Sequence, residues 1–550
     1  MTLAEYVVDR LEKLGVTDIF GIPGGVILDF LYTINQSRKI TPHLSYNEQA
    51  AAFEACGYAQ VNHTLGVAYA TRGPGFTNLI TGITDAYADS IPVLFVTSHG
   101  ENVAGCKKRF EYEQELDTVS MVKGVTKYAT IIDSVDEFWK IDKAIYISME
   151  GRKGPVFLDV STKIWNVDIK KYIYEKHKEK KNIIEPCLKF TEDKLSESQR
   201  PLILVGDGVR QSKSIDELIA LLNKWNIPVV SSRCSQDIAS CYEYYYGYIG
   251  SHGIRYANFI FEKADLVIAI GNRLGFPNSS QSFRKALQNK TIIHIDIDVN
   301  EKKDGLDNYY FYEEDLKKIV KRFIYTMPSK NYDGWHKTCN TLKEKLFSTD
   351  NNYIVKNLYR KFLHLNKDTV IVCDVGNNEF WVSRAYEMAG ITNRVLYSKS
   401  FGVLGCGIGK AIGASMKTGK KVLLVIGDQG LQLNIQELQV VAQENLPIEI
   451  MVINNNASGM IEDREKQKYN KLIHTTPDSG YSSVDLKNIA RVYNLDYVQN
   501  NYNDNISCPI INELNVNEYI ALNPLLPRGN SMQKMSPYID EKLYQELDAL

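Results

Sequence analysis

Short, largely apolar runs recur along this chain, separated by longer segments whose apolar positions follow a helical period. They fall in three groups: 18–22, 65–70, 93–97 and 156–160; then 202–205, 266–270 and 291–295; then 369–372, 421–426 and 449–453. Strands covered on both faces need such runs, and the amphipathic segments between them supply the covering helices. The pattern predicts an α/β chain of three doubly wound parallel-sheet domains, at 1–168, 183–328 and 351–550. A charged stretch at 170–182 and a polar connector near 329–350 read as exposed linkers. The first and third groups share their alternation and length, without a visible sequence repeat.

Composition agrees and removes some function classes. The 550 residues leave room for about three or four ordinary domains, and 44% hydrophobic with 24% charged residues is a globular balance. A net charge of -2 gives no reason to expect a nucleic-acid or membrane-surface partner. No run reaches the roughly 18 apolar residues of a membrane span, and Met1 to Arg10 lacks signal-peptide character, so a cytoplasmic protein is expected. Nine cysteines without a CxxC pair suggest reduced thiols and argue against zinc. Cys56, Cys106 and Cys406 read as small packing residues.

The chemistry concentrates where Val422-Leu423-Leu424-Val425-Ile426 runs into Gly427-Asp428-Gln429-Gly430, and where a later apolar run ends in Asn454-Asn455-Asn456. As strands of one parallel sheet, both would end on the carboxyl edge, where α/β folds bind ligands. Asp428 and Asn455 could then ligate one hard cation. Mg2+ held by so few protein oxygens keeps positions for water and phosphate. Near the start, Tyr46-Asn47-Glu48-Gln49 places a carboxylate before a small, apolar helix. Taken alone, Glu48 reads first as an acid complementing the helix dipole.

Together these segments resemble a known family. Gly-Asp followed some two dozen residues later by Asn-Asn is similar to the thiamine diphosphate signature, and the Glu48 segment resembles the catalytic-Glu region of acetolactate synthases. Ala70-Thr71-Arg72-Gly73-Pro74-Gly75-Phe76-Thr77-Asn78 is similar to that family's TSGPG-x-TN turn, whose glycines let backbone approach the cofactor. The resemblance implies that Glu48 bonds the aminopyrimidine ring and activates the cofactor, and that Gln114 faces the reacting centre. It implies diphosphate contacts at Gly427, Gln429, Gly430 and the loop holding Asn377, an apolar wedge at Leu404, and Mg2+ on Asp428, Asn455 and the Ala457 carbonyl. The family's two cofactor-binding domains come from different subunits, which implies at least a homodimer, with a tetramer equally open. In the middle segment, Gly206 and Gly208 form a GxG turn, and Gly250-Ser251-His252-Gly253 with Tyr256-Ala257-Asn258 resembles the family's FAD-binding stretch. Asp296 or Asp298 would meet a ribose there. Both bound FAD and the same fold with the site empty fit this resemblance.

The chain also departs from the family. Leu274-Gly275-Phe276-Pro277 replaces Phe-Asp-Asp-Arg, Arg464 stands where a Trp favours 2-oxobutyrate, Arg72 replaces a Ser, and Arg528 adds a further cation. Gln429 replaces the middle glycine of the signature. Arginine grips carboxylate or phosphate bidentately, which Trp and Ser cannot do; the bland alternative for each is solvated surface or an internal ion pair. The expected activity is a decarboxylating carboligase that joins a unit from pyruvate to a second carbonyl, either pyruvate or a nucleotide-linked keto sugar. The rivals are simple 2-oxo acid decarboxylation, whose enzymes commonly use a His-His pair absent here, and a non-catalytic cofactor-binding protein.

Overall fold

The computed structural model describes residues 1–100, 113–169, 184–250, 252–275, 281–326, 330–346, 352–469, 471–516 and 541–550. Two compact units emerge. One combines Met1–His177, His364–Glu379 and Asn393–Tyr519; the other combines Lys178–Leu363, Phe380–Thr392 and Ile520–Leu550.

The first unit holds two parallel six-stranded sheets. One runs, edge to edge, Thr41–Leu44, Asp18–Gly21, Gly66–Tyr69, Val93–His99, Val156–Ser161, Tyr128–Ile132. The other runs Val395–Leu396, Val370–Cys373, Val422–Gly427, Ile448–Asn454, Ile510–Asn515, Asp496–Gln499. Counted in chain order, the two have the same strand arrangement, so the likeness of the first and third groups is one of topology. The second unit has its own six-stranded sheet: Tyr309–Glu313, Thr291–Asp296, Leu266–Ile270, Pro201–Val205, Val229–Ser231, Tyr245–Tyr248. Its order is that of dinucleotide-binding sheets.

Every apolar run singled out in the sequence is a strand. The connector near 329–350 is not a plain linker: Asp333–Leu346 is a helix, because Trp335, Cys339, Leu342 and Leu346 form one buried face. The stretch 170–182 lies outside the described residues. Among the described residues no helix is long and apolar enough to cross a membrane.

Within the first unit the helix Glu48–Asn62 crosses the helix Cys406–Thr418 at backbone contact. A Cβ on Gly413 would stand 1.9 Å from the Glu54 carbonyl, and one on Gly57 would stand 2.2 Å from that of Lys410. Only glycine fits such a crossing. Beside it, Lys410 Nζ meets Asp85 Oδ2 at 2.8 Å, with both side chains buried, and Ser398 Oγ donates to Asp85 Oδ1 at 2.6 Å. Burial works against the Lys410 cation, but Asp85, Cys406, Asp89 and Cys56 together outweigh it and its pKa is raised. Asp89 accepts from the backbone N–H groups of Lys399 and Ser400. These contacts fix the two sheets of this unit to each other.

Candidate functional site

The first half of the site forms where the helices Glu48–Asn62 and Pro74–Asp89 begin. Asn47 caps the former, its side chain accepting from Gln49 N–H at 2.8 Å, and this presents Glu48 at the first helical position. Glu48 is buried, and Asn78 Nδ2 donates to its Oε2 at 2.9 Å. Gly75 lies against the other oxygen: a Cβ there would be 3.2 Å from Glu48 Oε1. Gly73, at φ +59°, turns the chain into the second helix, and a Cβ on it would stand 2.6 Å from the Gln114 carbonyl. Gln114 is exposed and holds a left-handed backbone, φ +55°. Arg72 next door reaches Glu115, Nη1 to Oε1 at 3.3 Å. Glu48, Gly73, Gln114 and Arg72 therefore come together as expected, and Asn78 and Glu115 join them. Arg72 is an internal ion-pair partner of Glu115, the blander of its two readings.

The second half lies on the carboxyl edge of the other sheet of the same unit. Val422–Gly427 and Ile448–Asn454 pair in parallel, Gly427 opposite Ile453, so Asp428 and Asn455 emerge side by side. One orientation of the Asn455 amide turns its oxygen toward the Ala457 carbonyl and Asp428 Oδ1, a set of three acceptors with no donor. The other turns its nitrogen to them, at 3.0 and 3.2 Å. A hard cation among the three oxygens favours the first orientation and its absence the second, because like dipoles need a positive centre between them. The residues present thus fit a small oxygen-liganded cation such as Mg2+. Burial pushes Asp428 up to about 6. Its remaining oxygen, Oδ2, accepts from Tyr481 Oη at 2.8 Å.

Asp374 braces this edge. Fully buried, it accepts from Gly405 N–H at 3.1 Å and Gly407 N–H at 2.8 Å, and burial pushes it up to about 6. It thereby fixes the turn holding half-buried Leu404. Asn377 begins a helix and donates to Asp463 at 3.3 Å, leaving its buried Oδ1 without a partner. The helix Gly459–Lys468 begins two residues past Ala457. Two helix N-termini beside this three-oxygen set are suited to holding phosphate groups. Arg464 is exposed on the second of these helices and forms no ion pair among the described residues. Arg528, Phe276 and Pro277 lie outside the described residues.

In the second unit, Gly206 and Gly208 follow the strand Pro201–Val205 at the point where the strand order reverses. A Cβ on Gly206 would stand 2.1 Å from the Gly271 carbonyl, and one on Gly208 would stand 2.8 Å from Gly271 Cα. The close meeting of two loops accounts for both glycines. Asp296 ends its strand on the same edge, its Oδ1 accepting from Asp298 N–H at 3.0 Å. His252 stacks on Phe380, ring centres 4.0 Å apart.

With this geometry in hand, the comparisons with known proteins are direct. Residues 1–121, 189–322 and 374–508 match three parts of one family: the thiamine pyrophosphate enzyme N-terminal TPP binding domain, central domain and C-terminal TPP binding domain. Thiamine pyrophosphate is thiamine diphosphate under its other name. The chain is 31% identical to the acetolactate synthase large subunit of Lactococcus lactis over 481 residues, 85% of this chain and 83% of that one. It is 30% identical to a probable acetolactate synthase large subunit of Methanococcus aeolicus, covering 86% and 83% of the two chains. Against the Escherichia coli isozyme 2 large subunit the identity is 29%, with 84% of each chain covered.

If the three oxygens hold the cation, Mg2+ should raise the melting temperature of the protein in the presence of thiamine pyrophosphate. At a hundredfold excess over its dissociation constant the stabilisation is about 2.7 kcal/mol. Asn455→Ala should lose most of that increment in a thermal melt. An undiminished Mg2+ effect in this variant would place the cation elsewhere.

Proposed function

Because this chain belongs to the thiamine pyrophosphate enzymes related to the acetolactate synthase large subunit, we propose that it is a decarboxylating carboligase with pyruvate as donor and a nucleotide-linked keto sugar as acceptor. The reading rests on one observation above all: a buried, oriented carboxyl at Glu48 and a three-oxygen cation set at Asp428, Asn455 and Ala457 occur in one chain.

When bound, the cofactor supplies a carbon nucleophile for the 2-oxo acid carbonyl and a sink for the electron pair left by CO2. The chain's own residues do the rest. Glu48, oriented by Asn78, would hold or give up a proton toward the aminopyrimidine ring. Asp428, Asn455 and the Ala457 carbonyl would hold Mg2+, and the helix starts at Asn377 and Gly459 would favour the diphosphate. Gly73 and Gly75 leave room for the ring, with Gln114 beside them. Leu404, half-buried in its turn, is the proposed apolar wedge under the cofactor.

For the acceptor, Arg464 supports an anionic compound. It stands roughly one and a half helical turns past the start of the helix beside the cation set and has no ion pair among the described residues. Arg72, paired with Glu115, supports that choice less. In the second unit we place an FAD-type dinucleotide at the point of strand-order reversal, near Gly206, Gly208 and Asp296. Flavin absorbance in the purified protein is the check, and a colourless protein that takes up no added FAD would refute it.

The two half-sites sit on separate sheets, and among the described residues no hydrogen bond or ion pair joins the Glu48 group to the Asp428 group. That supports a homo-oligomer in which each complete site draws one half from each copy. Glu48→Gln and Asp428→Ala should each abolish carboligation. Remixing the two after mild dissociation should restore part of it, because a mixed dimer keeps one intact pair. Normal turnover by Glu48→Gln would sink the role of Glu48 in activating the cofactor, and no recovery on mixing would sink the shared site.

Product analysis with pyruvate, Mg2+ and thiamine pyrophosphate, with and without nucleotide-linked keto sugars, tests the acceptor. A branched product only when sugar is present is the expected result, with Arg464→Ala raising the KM for sugar about 10- to 100-fold, the cost of a charge-assisted hydrogen bond. Acetolactate from pyruvate alone would make pyruvate the acceptor, and acetaldehyde alone would make the protein a simple decarboxylase.

A further inference from the structure

Between Ala457 and Ser483 the chain leaves the edge of the strand Ile448–Asn454, forms the helix Gly459–Lys468 that carries Arg464, and returns. The return limb is tied to the outgoing one at its base. Ser458 N–H donates to the Thr475 carbonyl at 2.9 Å, and Asn456 Oδ1 accepts from Ser483 N–H at 3.0 Å. A short turn, Pro477–Ser479, is closed by a reciprocal Thr476–Ser479 cap. Gly480 at φ +101° then reverses the chain, and Tyr481 N–H donates to the Thr476 carbonyl at 2.9 Å. The return limb so held makes a long-range contact, Tyr481 Oη donating to Asp428 Oδ2 at 2.8 Å.

The two carboxylate oxygens of Asp428 consequently have different surroundings. Oδ1 points to Asn455 and Oδ2 is engaged by a phenol. We propose that Tyr481 is a positioning residue for the cation: by holding Oδ2, it makes Asp428 a one-oxygen ligand and ties the Arg464-bearing excursion to the metal. This rests on the cation reading above. The chemical consequence is selectivity. Mg2+ demands near-octahedral geometry, whereas Ca2+ accepts carboxylates through both oxygens. A carboxylate limited to one oxygen favours Mg2+. Partners that orient a ligand in this way commonly contribute 10- to 100-fold to metal affinity.

The test is Mn2+ binding to the full-length protein with thiamine pyrophosphate, followed by electron paramagnetic resonance, with Mg2+ and Ca2+ as competitors. Tyr481→Phe removes only the hydroxyl. It should weaken Mg2+ about tenfold while weakening Ca2+ less, so that the preference for Mg2+ narrows. Its metal-free melting temperature should match that of the wild type. Asp428→Ala is the control. If it binds Mn2+ like the wild type, the cation reading itself fails. If it loses Mn2+ while Tyr481→Phe keeps wild-type affinities for both competitors, only the role of Tyr481 fails. Equal weakening of Mg2+ and Ca2+ would likewise overturn the selectivity argument. Should Tyr481→Phe not fold, Gly480→Ala displaces the same phenol through the backbone and is read by the same competition.

Discussion

The contact on which the first unit depends is the crossing of the helices Glu48–Asn62 and Cys406–Thr418. At Gly57 and Gly413 the two backbones meet so closely that any Cβ would overlap a carbonyl of the other helix. Forcing extra atoms into a packed site costs about 1–3 kcal/mol or more. The buried Lys410–Asp85 pair beside it adds direction to the packing. Such a pair adds little net stability compared with an apolar filling, but losing either partner strands a charge at a cost of about 3–5 kcal/mol. The pair therefore favours this one arrangement of the two helices over slipped ones. Both half-sites hang from it: Glu48 begins one helix, and the turn containing Leu404 leads into the other.

Carboxyl groups at this junction show what the arrangement costs. Glu54 is fully buried within its helix, with Ser45 Oγ donating to it at 2.6 Å. Burial first, and Glu437 second, push its pKa well above the ordinary carboxyl value. Burial also pushes Glu437 up to about 7, although it accepts from Tyr46 N–H. Two groups that resist ionisation stand directly behind the segment that presents Glu48. Ser45 serves one oxygen of Glu54 and Tyr46 N–H serves Glu437, while Glu54 Oε1 stays buried without a partner, a cost that the rest of the packing offsets.

How much of this was legible in the sequence follows from where each residue's partners lie. The strands found from apolar runs, among them Leu266–Ile270 and Val422–Gly427, are central ones buried on both faces. Most of the strands missed are edges: in Thr41–Leu44, Tyr309–Glu313 and Asp496–Gln499 partial exposure breaks the apolar run, while Tyr245–Tyr248 and Val395–Leu396 are buried but short. Two inner strands were also missed: Val229–Ser231 is too short to register, and Ile510–Asn515 carries buried Asn512 and Glu513. The adjacency of Asp428 and Asn455 was readable because each directly follows its own strand of one parallel sheet. Tyr481 was not, since its hydroxyl reaches Asp428 only through the turn at 476–480, and Glu115 gave no local sign that it would take the charge of Arg72. Asn78 lies within the glycine-turn motif, but its bond to Glu48 depends on the packing of two helices.

The Gln429 departure shows the same division between local and spatial constraint. In Gly427-Asp428-Gln429-Gly430 the requirement for a missing side chain falls on Gly430, where a Cβ would stand 2.3 Å from Asp374 Oδ2. At Gly427 a Cβ would meet only the Asn378 amide, at an ordinary 3.4 Å. Gln429 is half-buried and sits between these two, in the first turn of the helix Asp428–Leu433, where its side chain is not pressed against Asp374. The brace from Asp374 to Gly405, Gly407 and Gly430 is what holds the turn. A substitution at 429 leaves that brace and the Asp428 carboxylate in place, so Gln429 is compatible with the proposed cation set.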